Sequence, residues 1–244
     1  VLCSGAISVH NIAKTHQNYK LNLTIMLTKS TFYNNTSKKS SGALYFSNAN
    51  LCAIQVNYFW MNNGKLGGAS SITNVISLLN IHNIFAFNKA LENGGAIFAN
   101  KIIFLYNKNI SFIQNMAEEL GGCVSFQWVN LAHIVQINAI ENYAGVAAAC
   151  VRGKNNNFFL VKNSRFLSNK NKEFGGSVSS YKCKIVICCH TTFLNNSAVT
   201  SYGSGLYAGV VENLKIKNCA FHRNTARYGA ALYLYNIDML MVYQ

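Results

Sequence analysis

The chain has 244 residues, 50% of them apolar, and 21 Lys and Arg against 7 Asp and Glu give a formal charge of +14. This apolar content suffices for a sizeable core. The charge is compatible with an anionic partner, but the basic residues are dispersed and no helix-turn-helix, zinc-finger or ribonucleoprotein pattern accompanies them, which argues against specific nucleic-acid binding. No run of about 18 apolar residues occurs, so membrane association would need a segment that is not present here.

The first predicted element is an insertion near the N-terminus. Gly5 and Gly42 open equivalent motifs but lie 37 positions apart, ten more than the spacing found further along the chain. We therefore predict a basic loop over residues 10–31, and inserted loops on repeat proteins often carry recognition. Residues 1–244 otherwise read as a single domain, and their abrupt start and end suggest a fragment of a longer chain.

From Phe32 onwards, one pattern repeats along the sequence. Phe-x-x-Asn occurs seven times, and an eighth copy has Ala139 in place of the aromatic residue. A pair of small residues follows each copy, as in Gly94-Gly95-Ala96-Ile97. A fixed period of this size is typical of solenoids. The repeated asparagines are spaced by 26 to 28 residues: Asn35, Asn62, Asn88, Asn115, Asn142, Asn169, Asn196 and Asn224.

The repeat unit consists of short strands. Residues 94–120 contain three brief apolar runs, 96–99, 102–105 and 110–113, separated by Asn, Lys and Gly. Helical repeats need longer amphipathic stretches with a period of about 3.6 residues, and none is present. We predict an all-β fold, a right-handed parallel β-helix of about eight to nine coils, each of about 27 residues with three short strands.

The alternation within each copy predicts which residues point inward. The aliphatic residue after the glycine pair and the repeated phenylalanines are expected to form interior columns. The asparagines are expected at turns, where Asn tolerates left-handed geometry and its amide can bond to the backbone and to the Asn above; this structural role is favoured over ligand binding. An outward column is a candidate docking face for a sugar or a protein, although ordinary strand surface is the simpler interpretation. It contains Tyr45, Phe98, Tyr207 and Tyr233.

The paired motif Phe-x-x-Asn and Gly-Gly-Ala-(Ile/Leu/Val) resembles the repeats of the chlamydial polymorphic outer membrane proteins, with related repeats in the pectin-lyase-like superfamily. The resemblance extends from about Thr31 to Tyr233. It implies a right-handed β-helix displayed outside the cell and used for adhesion or as a surface scaffold. The expected location is therefore extracellular or the cell surface, and the expected partners are glycans or surface proteins.

Many pectin-lyase-like proteins are enzymes, but the chain has few catalytic candidates. Hydrolases on such folds need clustered carboxylates, and Asp238 is the single aspartate here. Four glutamates in the turns, Glu92, Glu118, Glu119 and Glu173, are expected to form a short acidic stripe on a polar corner. We assign no catalytic residue, no cofactor and no metal. The favoured function is non-catalytic, and the alternative is a carbohydrate-active enzyme, a lyase or hydrolase, whose catalytic coil lies outside this fragment.

Eight cysteines raise the question of disulfide or metal sites. Cys123 and Cys150 lie one period apart, at a separation that a bridge can span. The group Cys183, Cys188, Cys189 and His190 lacks the paired spacing of zinc sites. Reduced thiols that behave as small apolar side chains are favoured over an ordered set of disulfides.

Overall fold

A computed structural model describes residues 6–10 and 23–244, and all the regular structure in these residues is β-strand. Every strand pairing is parallel, and the chain winds through about eight turns with a spacing of roughly 27 residues. The predicted right-handed parallel β-helix is confirmed. In the described residues, no helix is long and apolar enough to cross a membrane.

The strands follow one another in the same order in successive coils. They are β1 Ile7–His10, β2 Thr24–Thr28, β3 Thr31–Tyr33, β4 Leu44–Gln55, β5 Tyr58–Trp60, β6 Asn63–Gly64, β7 Ser70–Ile81, β8 Ile84–Ala86, β9 Lys89–Ala90, β10 Ile97–Ile113, β11 Met116–Ala117, β12 Val124–Ile140, β13 Tyr143–Ala144, β14 Val151–Lys154, β15 Phe158–Lys162, β16 Arg165–Leu167, β17 Lys170–Asn171, β18 Val178–Cys189, β19 Thr192–Leu194, β20 Ser197–Tyr202, β21 Leu206–Lys217, β22 Ala220–His222, β23 Thr225–Tyr228 and β24 Leu232–Tyr243.

Single residues with positive φ form the corners of each coil. In the coil that contains β10, Lys101 (φ 56°) separates the first segment from the second, Asn109 (φ 53°) separates the second from the third, and Gln114 (φ 49°) ends the third. The stacked segments therefore form three sheet faces, here called the first, second and third faces. A short fourth segment, not predicted, forms a separate seven-stranded sheet that contains β6, β9, β11, β13, β17, β20 and β23.

Equivalent residues lie in register from coil to coil, so that each interior position becomes a column. Ile97 pairs with Val124, and Val124 pairs with Val151. The phenylalanine column is stacked, with ring centroids 4.6 Å apart for Phe59 and Phe85 and 4.8 Å apart for Phe193 and Phe221. These buried columns supply the apolar core that the repeat predicted.

The glycine pair closes each coil, and its two members have different roles. Gly94 has φ 71°, a conformation that residues with a side chain rarely adopt. Gly95 is needed for space, because a Cβ there would overlap the carbonyl oxygen of Gly122 in the next coil. One coil replaces the pair with Ala148 and Ala149, and Ala148 retains the left-handed conformation at φ 58°.

The predicted insertion lies before the second segment of the first coil. Ile7 pairs with Leu44 and Thr24 pairs with Leu51, so the ten additional residues lie between β1 and β2. Of the predicted loop 10–31, residues 11–22 lie outside the described residues. Thr24–Thr28 forms strand β2 rather than loop, because it pairs in register with β4.

Candidate functional site

The eight repeated asparagines form one column along the third corner. The side-chain amide of Asn88 donates to the carbonyl of Phe59 and to Oδ1 of Asn115, both at 2.9 Å. Its own Oδ1 accepts the backbone N–H and the side-chain amide of Asn62, both at 3.0 Å. All four hydrogen-bonding positions of this side chain are therefore used within the protein, which leaves none for a ligand.

One detail of the asparagine prediction is wrong. The left-handed residue at each third corner is not the repeated asparagine but the residue before it, such as Phe87 (φ 57°) before Asn88 and Gln114 before Asn115. The corner turns the asparagine side chain inward, where it is buried. Asparagine is required at this position because its amide satisfies neighbouring backbone groups, not because of its own backbone conformation.

The predicted docking column of the first face is also partly wrong. The register does place Tyr45, Phe98, Tyr207 and Tyr233 in one column, but only 7% of Tyr45 and 7% of Phe98 is exposed. Tyr207 and Tyr233 are half-buried and stack with ring centroids 5.7 Å apart. At the C-terminal end of this column, the glycine corners lie close to the tyrosines, Gly175 to Cβ of Tyr207 and Gly203 to Cβ of Tyr233.

The second face carries the largest outward apolar set that we identify. Its strands alternate between fully buried residues, such as Leu105 and Val186, and partly exposed ones, such as Leu131 and Ile185. Two adjacent outward columns are apolar over four successive coils, a length of about 14 Å at the usual spacing between strands. We call these eight residues the apolar face: Phe104, Tyr106, Leu131, His133, Phe158, Leu160, Ile185 and Ile187.

Aromatic contacts hold the side chains at the centre of the apolar face. The ring of His133 meets Phe104 edge-on at 5.6 Å, Phe158 at 5.6 Å and Tyr106 at 6.1 Å. Burial among these rings lowers the pKa of His133 below its ordinary value of 6.5. The imidazole is therefore mainly neutral at pH 7, and the centre of the face carries no charge.

Basic residues border the apolar face. Lys108 and Lys162 follow two positions after Tyr106 and Leu160 on the same strands, and Lys215 pairs with Ile187 at the end of the face. Lys184 precedes Ile185 and is exposed. This arrangement of an uncharged centre with a polar, charged rim is typical of interaction surfaces.

Two glutamates of the predicted acidic stripe form ion pairs with lysines, which offset their negative charge. Glu92 lies 3.1 Å from Lys65 and Glu118 lies 2.8 Å from Lys89, with all four side chains well exposed. Within residues 6–10 and 23–244, no three His, Cys, Asp or Glu side chains are grouped so that they could hold a metal ion.

The seven cysteines in the described part of the chain are free thiols. Cys123 and Cys150, the pair considered for a bridge, occupy adjacent coils and are fully buried. Burial raises the pKa of Cys123 well above its ordinary value, which keeps it protonated. Cys188 and Cys219 form a second thiol pair, with their sulfur atoms 3.6 Å apart.

Neither a protein-family model, nor a curated protein, nor a solved structure matches this chain. The function proposed below is therefore based on the apolar face and its surroundings.

The apolar face was missed in the sequence, although a signal for it was present. Half-exposed strands normally alternate between apolar and polar residues, whereas uninterrupted apolar runs indicate strands that are covered on both sides. The second segments contain such runs at residues 102–106, 158–161 and 185–189. The interior columns explain only every second residue of these runs, and the remainder predicts an apolar exterior.

Proposed function

We propose that this protein is a non-catalytic β-helix module, displayed outside the cell, which acts in adhesion or as a surface scaffold by binding a partner protein through the apolar face. The observation that carries the proposal is the two-column apolar surface, which is at least partly exposed over four coils and lies over buried interior residues of the same strands. A surface of this kind favours a macromolecular partner over a small molecule, because it is flat rather than concave.

The chemistry of the apolar face favours a protein over a glycan. Sugar recognition requires several hydrogen-bonding groups beside an aromatic ring, and among these eight side chains only Tyr106 and His133 carry one. Aliphatic side chains such as Leu160 and Ile187 instead match the apolar centre of a protein interface. The lysine rim selects a partner with acidic residues around its own apolar patch.

The charge of the chain also disfavours a second copy as the partner. Two molecules that each carry +14 would meet through faces bordered by lysine, which adds repulsion to their association. An acidic protein surface turns the same lysines into attractive contacts, which raises the association rate at low salt.

Regular stacking of the coils holds the apolar face in a fixed geometry. Each rung is held to the next by backbone pairing, as between Phe104 and Leu131 or between Phe158 and Ile185. The side chains are therefore fixed before binding, which reduces the entropy lost in the complex. A relationship to the chlamydial polymorphic outer membrane proteins and the pectin-lyase-like superfamily forms part of the proposal, supported by the paired motifs and by the β-helix.

A four-residue variant tests the proposal. Phe104, Leu131, Phe158 and Ile185 lie in one outward column, in which Ser77 and Asn213 occupy the positions at either end. We propose replacing all four with Thr, which retains high strand propensity. The control is Trp60→Thr with Phe87→Asn, which removes two comparably exposed rings, 40% and 39% accessible, from a different part of the surface.

Beads carrying each protein are presented to intact cells, to protease-treated cells and to a glycan array. The proposal predicts adhesion that falls at least about tenfold in the four-Thr variant, persists in the control and is lost after protease treatment. Equal adhesion by both variants would exclude the apolar face. Adhesion that survives protease and follows the glycan array would make a sugar the partner, and glycan cleavage would support the enzyme alternative.

A further inference from the structure

In three coils, the inward-facing residue after the second corner reaches back into the preceding coil. The amide of Asn57 donates to the carbonyl of Leu27 at 3.1 Å, and the amide of Asn83 donates to the carbonyl of Ile54 at 2.6 Å. Cys219 occupies the equivalent position after Asn218, and its Sγ lies 3.4 Å from the carbonyl oxygen of Cys188. The fold itself therefore places the side chain of Cys219 against residue 188.

The residue at this contact point is also a cysteine. Cys188 is buried in β18, and its Sγ lies 3.6 Å from Sγ of Cys219. A disulfide requires about 2.05 Å between the two sulfur atoms, which small rotations of the side chains can supply. Cys219 is only partly buried, so an oxidant in solution can reach one member of the pair.

We propose that Cys188 and Cys219 form a redox-sensitive pair that hydrogen peroxide converts to a disulfide joining β18 to the corner between β21 and β22. This inference is independent of the proposed adhesion, because it depends only on the packing of two consecutive coils.

The oxidation proceeds in two balanced steps. The Cys219 thiolate attacks the peroxide, so that an S–O bond forms, the O–O bond breaks, and hydroxide leaves. The Cys188 thiol then attacks the sulfenic sulfur of Cys219; the S–S bond forms, the S–O bond breaks, and water leaves with the thiol proton. Overall, the two cysteines lose two electrons and the peroxide is reduced to two molecules of water.

The environment of Cys219 favours the first step. The pKa of Cys219 is lowered to about 7, chiefly by its hydrogen bond with the Cys188 thiol, although partial burial opposes this effect. The nucleophilic form is thus substantially populated at neutral pH. Cys188 itself stays protonated, because its hydrogen bond with Cys219 and its full burial raise its pKa.

Among the described residues, the thiols closest to this arrangement differ from Cys219 in at least one respect. Cys123 and Cys150 contact each other but are inaccessible and, in the case of Cys123, held protonated. Cys189 is partly exposed, but burial raises its pKa and its side chain lies on the opposite side of the strand from Cys188. Cys189 is therefore the competitor that an experiment has to exclude.

Peptide mapping provides the test. The reduced chain, freed of reductant, is treated with hydrogen peroxide at pH 8, blocked with iodoacetamide and digested with trypsin. Cleavage after Lys184, Lys215, Lys217 and Arg223 leaves Cys219 alone in peptide 218–223, and Cys188 with Cys189 in peptide 185–215. We expect these two peptides to be cross-linked and about 2 Da lighter than the sum of their masses with Cys189 alkylated and the other two thiols reduced. The oxidation rate should fall as the pH is lowered through about 7.

Two variants assign the bond. Cys189→Ser should retain the cross-link, whereas Cys219→Ser should lose it while keeping the β-sheet spectrum of the native chain, since Ser or Thr fills this position in other coils, as at Ser164 and Thr191. The bridge should raise the thermal midpoint by about 5–10 °C, reversibly with dithiothreitol. Loss of the cross-link in Cys189→Ser, oxidation of Cys219 to sulfinic acid without a bridge, or unreacted thiols would each overturn the proposal.

Discussion

The backbone N–H and the side-chain amide of Asn88 both donate to Oδ1 of Asn115, at 3.0 and 2.9 Å. One oxygen atom thus satisfies two buried donors of the preceding coil, and the same arrangement recurs from Asn35 to Asn224. The asparagine column is consequently a continuous source of stability along the solenoid rather than a set of independent turns.

Replacing Asn115 with Ala should lower the free energy of unfolding by about 3–5 kcal/mol. The change removes the acceptor of the backbone N–H of Asn88 and of one N–H of its side-chain amide, and the donor that Asn115 provides to the carbonyl of Phe85. Each buried group left unsatisfied costs about 1–3 kcal/mol. Urea denaturation measures the loss. Asn138→Ala is the matched control, because Asn138 is exposed on the third face, and it should change stability by less than about 0.5 kcal/mol. Equal effects of the two changes would contradict the role assigned to the column.

Phe85→Ala should destabilise the chain by about 3–5 kcal/mol. Phe85 is fully buried between Phe59 and Phe112, with ring centroids 4.6 and 5.4 Å away. Phe85→Leu retains most of the volume and should lose less than about 2 kcal/mol. Chemical denaturation of both variants checks the prediction, and a loss that did not depend on the volume removed would argue against stacking as the source of stability.

Ala148→Gly should stabilise the protein by about 0.5–1 kcal/mol. A left-handed conformation costs a residue with a Cβ about 1–2 kcal/mol, and part of the gain is offset by the greater freedom of Gly in the unfolded chain. Gly94→Ala makes the opposite change in the same column and should destabilise. Thermal denaturation of the two variants should give shifts of opposite sign, and shifts of the same sign would show that the backbone strain is not the governing factor.

Stability should decline as the pH falls below 6.5, in part because of His133. Its pKa is lower in the folded chain than in the unfolded chain, so the unfolded state binds more protons between the two values. Neutral His133 therefore contributes fully to the stability of the fold above pH 6.5. This contribution is lost as the pH falls from 6.5 through the pKa of His133 in the folded chain. NMR titration should give a pKa below 6.5, and the difference in thermal midpoint between native protein and His133→Gln should narrow from pH 7.5 to pH 5. The rings that contact His133 are those of Phe104, Tyr106 and Phe158. A measured pKa of 6.5 or above would refute the effect.

The period of the sequence was sufficient to predict the interior of this fold. Phe-x-x-Asn and the glycine pair recur in phase, and in a parallel solenoid a constant spacing places like residues on top of one another, as it does Phe59 and Phe85. The exterior was harder to predict. Whether an outward side chain is exposed depends on what covers it, and the period of the sequence did not predict that Tyr45 and Phe98 are buried.

The sequence also did not predict which residue adopts the left-handed conformation at each corner. Positive φ occurs at residues as different as Trp128, Lys182 and Val210, which occupy the same corner in different coils. Their conformation is imposed by pairing of the flanking segments and is not encoded by a preference of the residue itself. The apolar face was, in contrast, readable in principle, because the runs around Phe158 and Ile185 contain more apolar residues than the interior can accommodate.

The spacing of the asparagine column has a consequence for how such a chain can change in length. Because Asn115 and Asn142 make equivalent contacts with the coils before and after them, deletion of residues 115–141 would bring Asn142 into the place of Asn115 and restore every contact type. Gain or loss of one such unit would lengthen or shorten the rod by about 4.8 Å and leave the remaining windings unaltered. Recombination between repeats would thus change the length of the protein and keep the same fold.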